Sequence, residues 1–344
     1  MHITDEDRAK ACLSRIGYYR LSAYWYPNRK SENYIDPSDG HRKTRVLDDF
    51  RDGTHFSDAL NFYVFDKKLR LLVLDALERV EISVRTDIAV LLGVHGPWVH
   101  RDPSKLHGNF SRPNVPPARL AQIQAMSKQQ PELTHQAIAQ IVGVNVKTVN
   151  FALKNPKKAS QSRLDEWLFR LDDKFKKSKE DFAKHFKAKY PNDLPPIWVV
   201  VELWDFGTLS HFFSGMKMVD QNTIAARYGV PSGNIFEGWL RNLNDVRNFC
   251  AHHSRLWNRN LPFIPTWPTQ GQIPILDHLV RQPHSLSRFY ASAVILQTLL
   301  RTINPTSTWA KRFVKHVATL PTNPYVTLTS AGFPRNWTDQ DIWK

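Results

Sequence analysis

The sequence predicts an all-helical chain. Three observations lead there: apolar residues recur every three or four positions in the longest segments, strand-like alternation is weak, and prolines cluster at 96–117, 191–197 and 262–268, between the periodic segments. No internal repeat or low-complexity tract interrupts this pattern.

Residues 5–26 read as a helix with Leu13, Ile16, Tyr19/Arg20 and Tyr24 towards one side. Residues 28–48, rich in Asn, Ser, Asp, Gly, Arg and Lys, read as a polar basic loop. Residues 58–93 carry the clearest helical period, with Leu60, Val64, Leu71, Leu74, Leu77, Ile82, Ile88 and Leu92 and no Pro or Gly before Gly93. After the proline-broken stretch 96–117, residues 117–155 form a distinct unit. Residues 156–190 are basic and helical in pattern, with Phe182, His185, Phe186 and Tyr190 sharing a face. Further helices are expected over 197–218, 234–258, 285–303 and 306–319, and the tail, with Gly332-Phe333-Pro334 and Trp337, should dock by its aromatics.

Composition narrows the class. With 344 residues, 42% hydrophobic and 12% aromatic, the chain can build a sizeable core. Lys and Arg number 47 against 32 Asp and Glu, a net charge of +15, which points to a polyanionic partner such as nucleic acid. Two cysteines, Cys12 and Cys250, make neither a disulfide framework nor a zinc site of familiar spacing. The charged start lacks the apolar core of a signal peptide, and no apolar run is long enough to span a bilayer, so a cytoplasmic location is expected.

The segment that carries chemistry runs from Val246 to Arg259. On a continuous helix Asn248, His252, Arg255 and Arg259 fall at spacings of four, three and four, with Arg247 at the edge of that stripe. Such a stripe suits RNA cleavage without a metal or cofactor. The ribose 2′-OH supplies the nucleophile, a His moves its proton, an Arg fork stabilises the phosphate charge, and an Asn orients the phosphate or the imidazole. A solvated polar stripe would use the same spacing. Asn248 beside Arg247, the tandem His252-His253 and the two later arginines favour function. Arg101 and His107 match by spacing alone, without the Asn and in a proline-containing loop.

The run RNFCAHHSRLWNR resembles the signature of the Abi-D/Abi-F abortive-infection proteins, a branch of the HEPN superfamily. Its Arg-Asn-x-x-x-His core is also that of the HEPN nucleases in type VI CRISPR effectors. Ile16-Gly17-Tyr18-Tyr19-Arg20-Leu21-Ser22-Ala23-Tyr24-Trp25 is similar to the family's N-terminal block, and Tyr63–Arg70 with Glu78–Arg85 to its central helix. Pro195-Pro196-Ile197-Trp198, Glu202, Phe206–Ser210 and Gly332-Phe333-Pro334 with Trp337 match further blocks. The resemblance implies a HEPN-type helical bundle, a metal-independent endoribonuclease with Arg247, Asn248 and His252 as catalytic set, and a homodimer in which two motifs face one cleft. It also implies association with a structured non-coding RNA in some relatives. The family pattern carries about one more helix before the Tyr-Tyr-Arg block than this chain does.

Residues 105–160 depart from the family pattern and read as an insertion, which divides the chain into 1–104, 105–160 and 161–344. Residues 134–153 have the layout of a helix-turn-helix. Thr134 and Asn145 are placed to cap its two helices and Gly143 to make the turn, with Ile138, Val144, Val149 and Leu153 inside and a third helix starting at Pro117. If this unit reads DNA, Val146, Lys147, Asn150 and Lys154 would reach the groove; the alternatives are a spacer or protein-docking module, and RNA contact through the same basic end. Lys174, Lys176 and Lys177 are candidates to track a phosphate backbone.

His253 and Arg255 are candidates to support the catalytic set. Glu81 and Arg85, four apart, are expected as a structural ion pair, the alternative being that they orient Arg247 or His252. Tyr18, Tyr19, Tyr24 and Trp25 are expected in the core rather than stacked on bases. The competing functional class is a non-catalytic nucleic-acid-binding regulator that uses the helix-turn-helix on a HEPN scaffold, and a third is a toxin held by a protein or RNA partner.

Overall fold

The computed structural model describes residues 1–344, and the chain divides into two compact units: Met1–Val80 with Gly238–Lys344, and Glu81–Glu237. The fold is all-α apart from one two-stranded sheet.

The first unit opens with α1 (Glu6–Ile16) and α2 (Tyr18–Trp25). The single helix expected over 5–26 is split, because Gly17 between them takes φ 88°, where glycine pays no Cβ penalty. Strands β1 (Arg29–Ile35) and β2 (Arg42–Phe50) form an antiparallel hairpin with Tyr34 opposite Lys43 and Glu32 opposite Arg45. The polar loop expected over 28–48 is therefore a β-ribbon. Its sequence lacks apolar alternation because cross-strand charge pairs hold it instead, Arg29 to Asp48 at 2.9 Å and Arg45 to Glu32 at 2.5 Å. Then α3 (Phe56–Gly93) runs unbroken through the segment whose period predicted it and passes from the first unit into the second.

The second unit continues with α4 (Gly108–Ser111), α5 (Pro117–Gln129), α6 (His135–Val142), α7 (Val146–Lys154) and α8 (Pro156–Ser160). Thr134 Oγ1 accepts from the N–H of Ala137 at 3.2 Å, and Asn145 Oδ1 from that of Thr148 at 2.8 Å, so each side chain caps the helix after it. Gly143 ends α6 at φ 69°, and the Val144 N–H returns to the Ala139 carbonyl at 3.0 Å. Ile123, Ile138, Val149, Ala152 and Ala159 form a cluster of their own, with Val144 and Leu153 partly buried against it. The N–H of Val115 donates to the Ala159 carbonyl at 2.9 Å, so the segment starts and finishes at one place.

Next come α9 (Arg163–Lys177), α10 (Asp181–Lys189), α11 (Ile197–Val200), α12 (Phe206–Ser214) and α13 (Met218–Arg227). The helix expected over 197–218 is broken at Trp204–Asp205, where Asp205 turns to cap α12 through the N–H of Thr208 at 2.8 Å. Trp167, Trp204 and Phe212 pack together at the centre of this unit, all buried.

Helix α14 (Gly233–Ala251) leads back into the first unit, which α15 (Pro283–Leu286), α16 (Phe289–Ile303) and α17 (Trp309–Val317) complete. α16 is buried on almost every face, as an all-round apolar helix must be. The tail closes over it. Phe333 stacks on Trp257 at 5.1 Å, and Trp343 packs on Phe313 at 4.8 Å while its indole N–H donates to the Tyr290 hydroxyl at 3.1 Å. No helix is long and apolar enough to cross a membrane.

Gly238 lies inside α14, where Gly→Ala would ordinarily stabilise a helix by about 1 kcal/mol. Here an added Cβ would meet Thr266 Oγ1 at 2.6 Å and the Thr266 backbone nitrogen at 2.9 Å. Gly238→Ala should thus reverse the usual sign and cost on the order of 1–2 kcal/mol, which equilibrium urea denaturation will read.

Candidate functional site

Helix α14 stops at Ala251, so the stripe expected on a continuous 234–258 helix does not form. The chain reverses instead. His253 takes φ 59°, its N–H donates to the Cys250 carbonyl at 3.2 Å, and the N–H of Ser254 donates to the Phe249 carbonyl at 2.9 Å. This is the hydrogen-bond pattern of a helix end closed by a left-handed residue, a place usually held by glycine. A histidine there is uncommon and carries backbone strain. No glycine or proline in the sequence marks the stop.

What holds the reversed chain is a buried cluster under it. Asp66 on α3 is fully buried and accepts from the backbone N–H of Trp257 at 2.8 Å and of Leu256 at 3.2 Å. The Tyr24 hydroxyl donates to the same carboxylate at 2.8 Å, and Arg70, one turn along α3, pairs with it. Burial raises the Asp66 carboxyl above the ordinary carboxylate range, against the pull of Arg70 and of the N–H and O–H donors. Arg70 also donates to the Tyr24 hydroxyl at 2.7 Å and to the Ser254 carbonyl at 3.3 Å. Arg20 reaches the His253 carbonyl at 3.1 Å. Arg255 reaches back to the Ala23 carbonyl at 2.5 Å and to the Asn258 carbonyl at 3.2 Å. Between 253 and 258, three arginines take carbonyls and one aspartate takes two N–H groups.

Above this cluster lies a cleft of about 570 Å³, lined by Tyr19, Arg20, Tyr26, His252, His253, Arg255 and Arg259 among others. His252 is exposed at its wall, its N–H still bonded to the Asn248 carbonyl at 2.9 Å as the last turn of the helix. Arg259 lies with its guanidinium 4.0 Å from the centre of the Phe249 ring, a cation–π contact that leaves its N–H groups to the cleft. The structure thus brings His252, His253, Arg255 and Arg259 together. Arg255 is committed to backbone carbonyls, and burial lowers it from the usual guanidinium range. Arg247 and Asn248 are half-buried one turn back, joined by a 3.4 Å hydrogen bond, and do not line the cleft. Cys250 is buried, and burial pushes its thiol well above the ordinary range, so it packs rather than reacts.

The remaining candidates fall elsewhere. Glu81 and Arg85 pair with each other in the second unit, and Arg85 also donates to the Trp204 carbonyl. Lys147 and Lys154 are exposed on α7, and Asn150 Oδ1 is bonded to the His135 ring at 2.5 Å. Lys174 pairs with Asp205 at 3.2 Å and Lys177 with Asp173 at 2.8 Å, while Lys176 is exposed. Of the four N-terminal aromatics expected in the core, Tyr24 and Trp25 are buried, but Tyr18 and Tyr19 are exposed, Tyr19 at 89%. Sequence reasoning did not single out Asp66, Arg70, Tyr24 or Arg20 as builders of the site. The available signal was an Asp and an Arg four apart on the apolar face of an amphipathic helix, among Phe62, Phe65, Leu69 and Val73, where a charge must have a partner.

Asp66→Ala removes the acceptor of two backbone N–H groups and strands Arg70, 4% exposed, without its counter-charge. A loss of about 3–5 kcal/mol is expected. Asp66→Asn, which keeps an acceptor, should lose less. Chemical denaturation of the two variants checks the order.

The geometry can be set beside known proteins. The profile of one protein family, described as Abi-like protein, matches residues 11–258. No curated protein and no solved structure matches the chain. The matched span runs from α1 to the segment that Asp66 holds and covers well over half of the sequence: the chain belongs to the Abi-like protein family.

Proposed function

We propose that this chain is a metal-independent endoribonuclease of the HEPN type that acts in abortive infection, with Arg247, Asn248 and His252 as its catalytic set. The observation that carries the reading is His252, exposed on the wall of a cleft that Arg259 also lines, at the helix end after which the chain is fastened by a buried cluster.

The chemistry follows from the groups. His252 takes the proton of the ribose 2′-OH, the 2′ oxygen attacks the adjacent phosphorus, and the bond to the 5′ oxygen breaks. The leaving oxygen takes a proton from a second acid, giving a 2′,3′-cyclic phosphate and a 5′-hydroxyl. Guanidinium groups stabilise the charge on the non-bridging oxygens. Arg247 and Asn248 are outside the cleft wall of one chain, so on this reading they act in a cleft made by two chains. His252 of the partner subunit is then the second acid. A homodimer with the ends of α14 near its two-fold axis meets that need. The net charge of +15 fits an RNA substrate and a bound structured RNA.

On the same reading residues 105–160 are an inserted helix-turn-helix. Its capped helices, its own cluster and its closely spaced ends support that. Lys147 and Lys154 are its exposed cations, and target choice is its expected task. The cytoplasm is the expected compartment.

His252→Ala should reduce cleavage of RNA by at least about 10²-fold, leave the melting temperature unchanged and remain insensitive to rescue by divalent metal. Wild-type cleavage should survive EDTA and yield 2′,3′-cyclic ends, scored by end-specific ligation. Full cleavage by His252→Ala in a nuclease-free preparation would falsify the reading. Mixing wild type with His252→Ala should depress activity beyond dilution, since mixed dimers carry one acid–base group; activity that only dilutes removes the two-chain cleft.

A further inference from the structure

A second cavity lies in the same unit, and nothing in the cleavage chemistry uses it. It measures about 210 Å³ and is lined by Tyr24, Asn28, Asp58, Phe62, Pro321 and Val326 among others. Asn28 is 1% exposed, and no protein group hydrogen-bonds its Oδ1 or its Nδ2. Its backbone is fixed, because its carbonyl accepts from the N–H of Arg51 at 2.9 Å where the hairpin begins. A buried carboxamide that pairs with nothing in the protein costs on the order of 1–3 kcal/mol and calls for a partner from outside.

We propose that this cavity is a nucleobase pocket read by Asn28. Three features narrow the ligand. The carboxamide offers an acceptor and a donor side by side, and the edges of nucleobases present that pair in reverse. The walls include two aromatic rings and a proline, Tyr24, Phe62 and Pro321, and such a lining suits a planar ring. The lining holds the carboxylate of Asp58 and no Lys or Arg, so a phosphate is unwelcome inside and must stay out. A cavity of 210 Å³ also far exceeds the roughly 10–15 Å³ that seats one water. Tyr24 is common to the linings of this cavity and of the His252 cleft, and the base has two possible sources, a free nucleoside or a strand.

The test separates those sources and does not depend on cleavage. Isothermal titration of the full chain with adenosine, cytidine, uridine and guanosine, each alone, covers the free ligand. A short 2′-O-methyl oligoribonucleotide, uncleavable by 2′-OH attack, and the same strand with abasic positions cover the strand. In whichever arm binding occurs, Asn28→Leu should weaken it by about tenfold or more. Asn28→Asp, which replaces the donor by a second acceptor, should shift preference towards guanine, whose N1–H and N2–H₂ offer two donors. If Asn28→Leu does not fold, Val326→Phe fills the cavity from another wall and must give the same loss. Unchanged affinity in both arms, or nucleoside-soaked crystals that hold only ordered water beside Asn28, overturns the pocket. Loss of cleavage by His252→Ala has no bearing on either arm.

Discussion

The candidate site depends on one buried carboxylate. Asp66 does for the chain between Leu256 and Trp257 what a helix or sheet would otherwise do, because it receives two backbone N–H groups that have no ladder to join. Taking a carboxylate out of water is costly, and Arg70 and Tyr24 offset that cost only because they meet it in fixed geometry. The same two side chains come from α3 and α2. The cluster therefore fastens three separate parts of the sequence at one point, and everything at the mouth of the cleft inherits its position from there.

That fastening explains why the helix ends where it does. The left-handed turn at His253 is unfavourable for a residue with a Cβ, and a histidine on its own would not end a helix. The N–H groups captured by Asp66, and the carbonyls captured by Arg20, Arg70 and Arg255, outweigh the strain. The result is the geometry of the cleft: His252 stays on the last turn, exposed, while the chain after it folds back so that Arg259 lines the same cleft. A continuing helix would have carried Arg255 and Arg259 about 4.5 and 10.5 Å further along its axis.

Much of the fold was legible because burial writes itself into sequence as a period. The long helix α3, the capped helices α6 and α7 with Gly143 between them, and the aromatic tail could all be read that way. The hairpin Arg29–Phe50 could not, since its strands are held by paired charges and neither face is apolar. His252 was legible as a candidate from its neighbours Arg247 and Asn248. The stripe was not, because a helix stop enforced from α3, some 190 residues away in sequence, leaves no mark near Ala251. Asp66 and Arg70 were visible only as charges on the apolar face of an amphipathic helix, and the sequence could not say which backbone they would meet.

The division of labour among the arginines bears on how a cleft of this kind could stabilise charge. Arg20 and Arg255 spend donors on carbonyls, so they set positive potential at the cleft without directing a fork at a ligand, and Arg70 is paired with Asp66 beneath it. Arg259 is different, since its guanidinium rests on Phe249 and keeps its in-plane donors. One such fork can hold one pair of phosphate oxygens, whereas a pentacoordinate phosphorus in mid-reaction gathers charge on several at once. Arg247, tied only to Asn248 by a long hydrogen bond, is the nearest uncommitted guanidinium in the sequence, yet it is outside the wall. On the proposed reading its natural place of action is therefore across a two-fold axis, where the half-buried Arg247-Asn248 pair of each chain would face the cleft of the other.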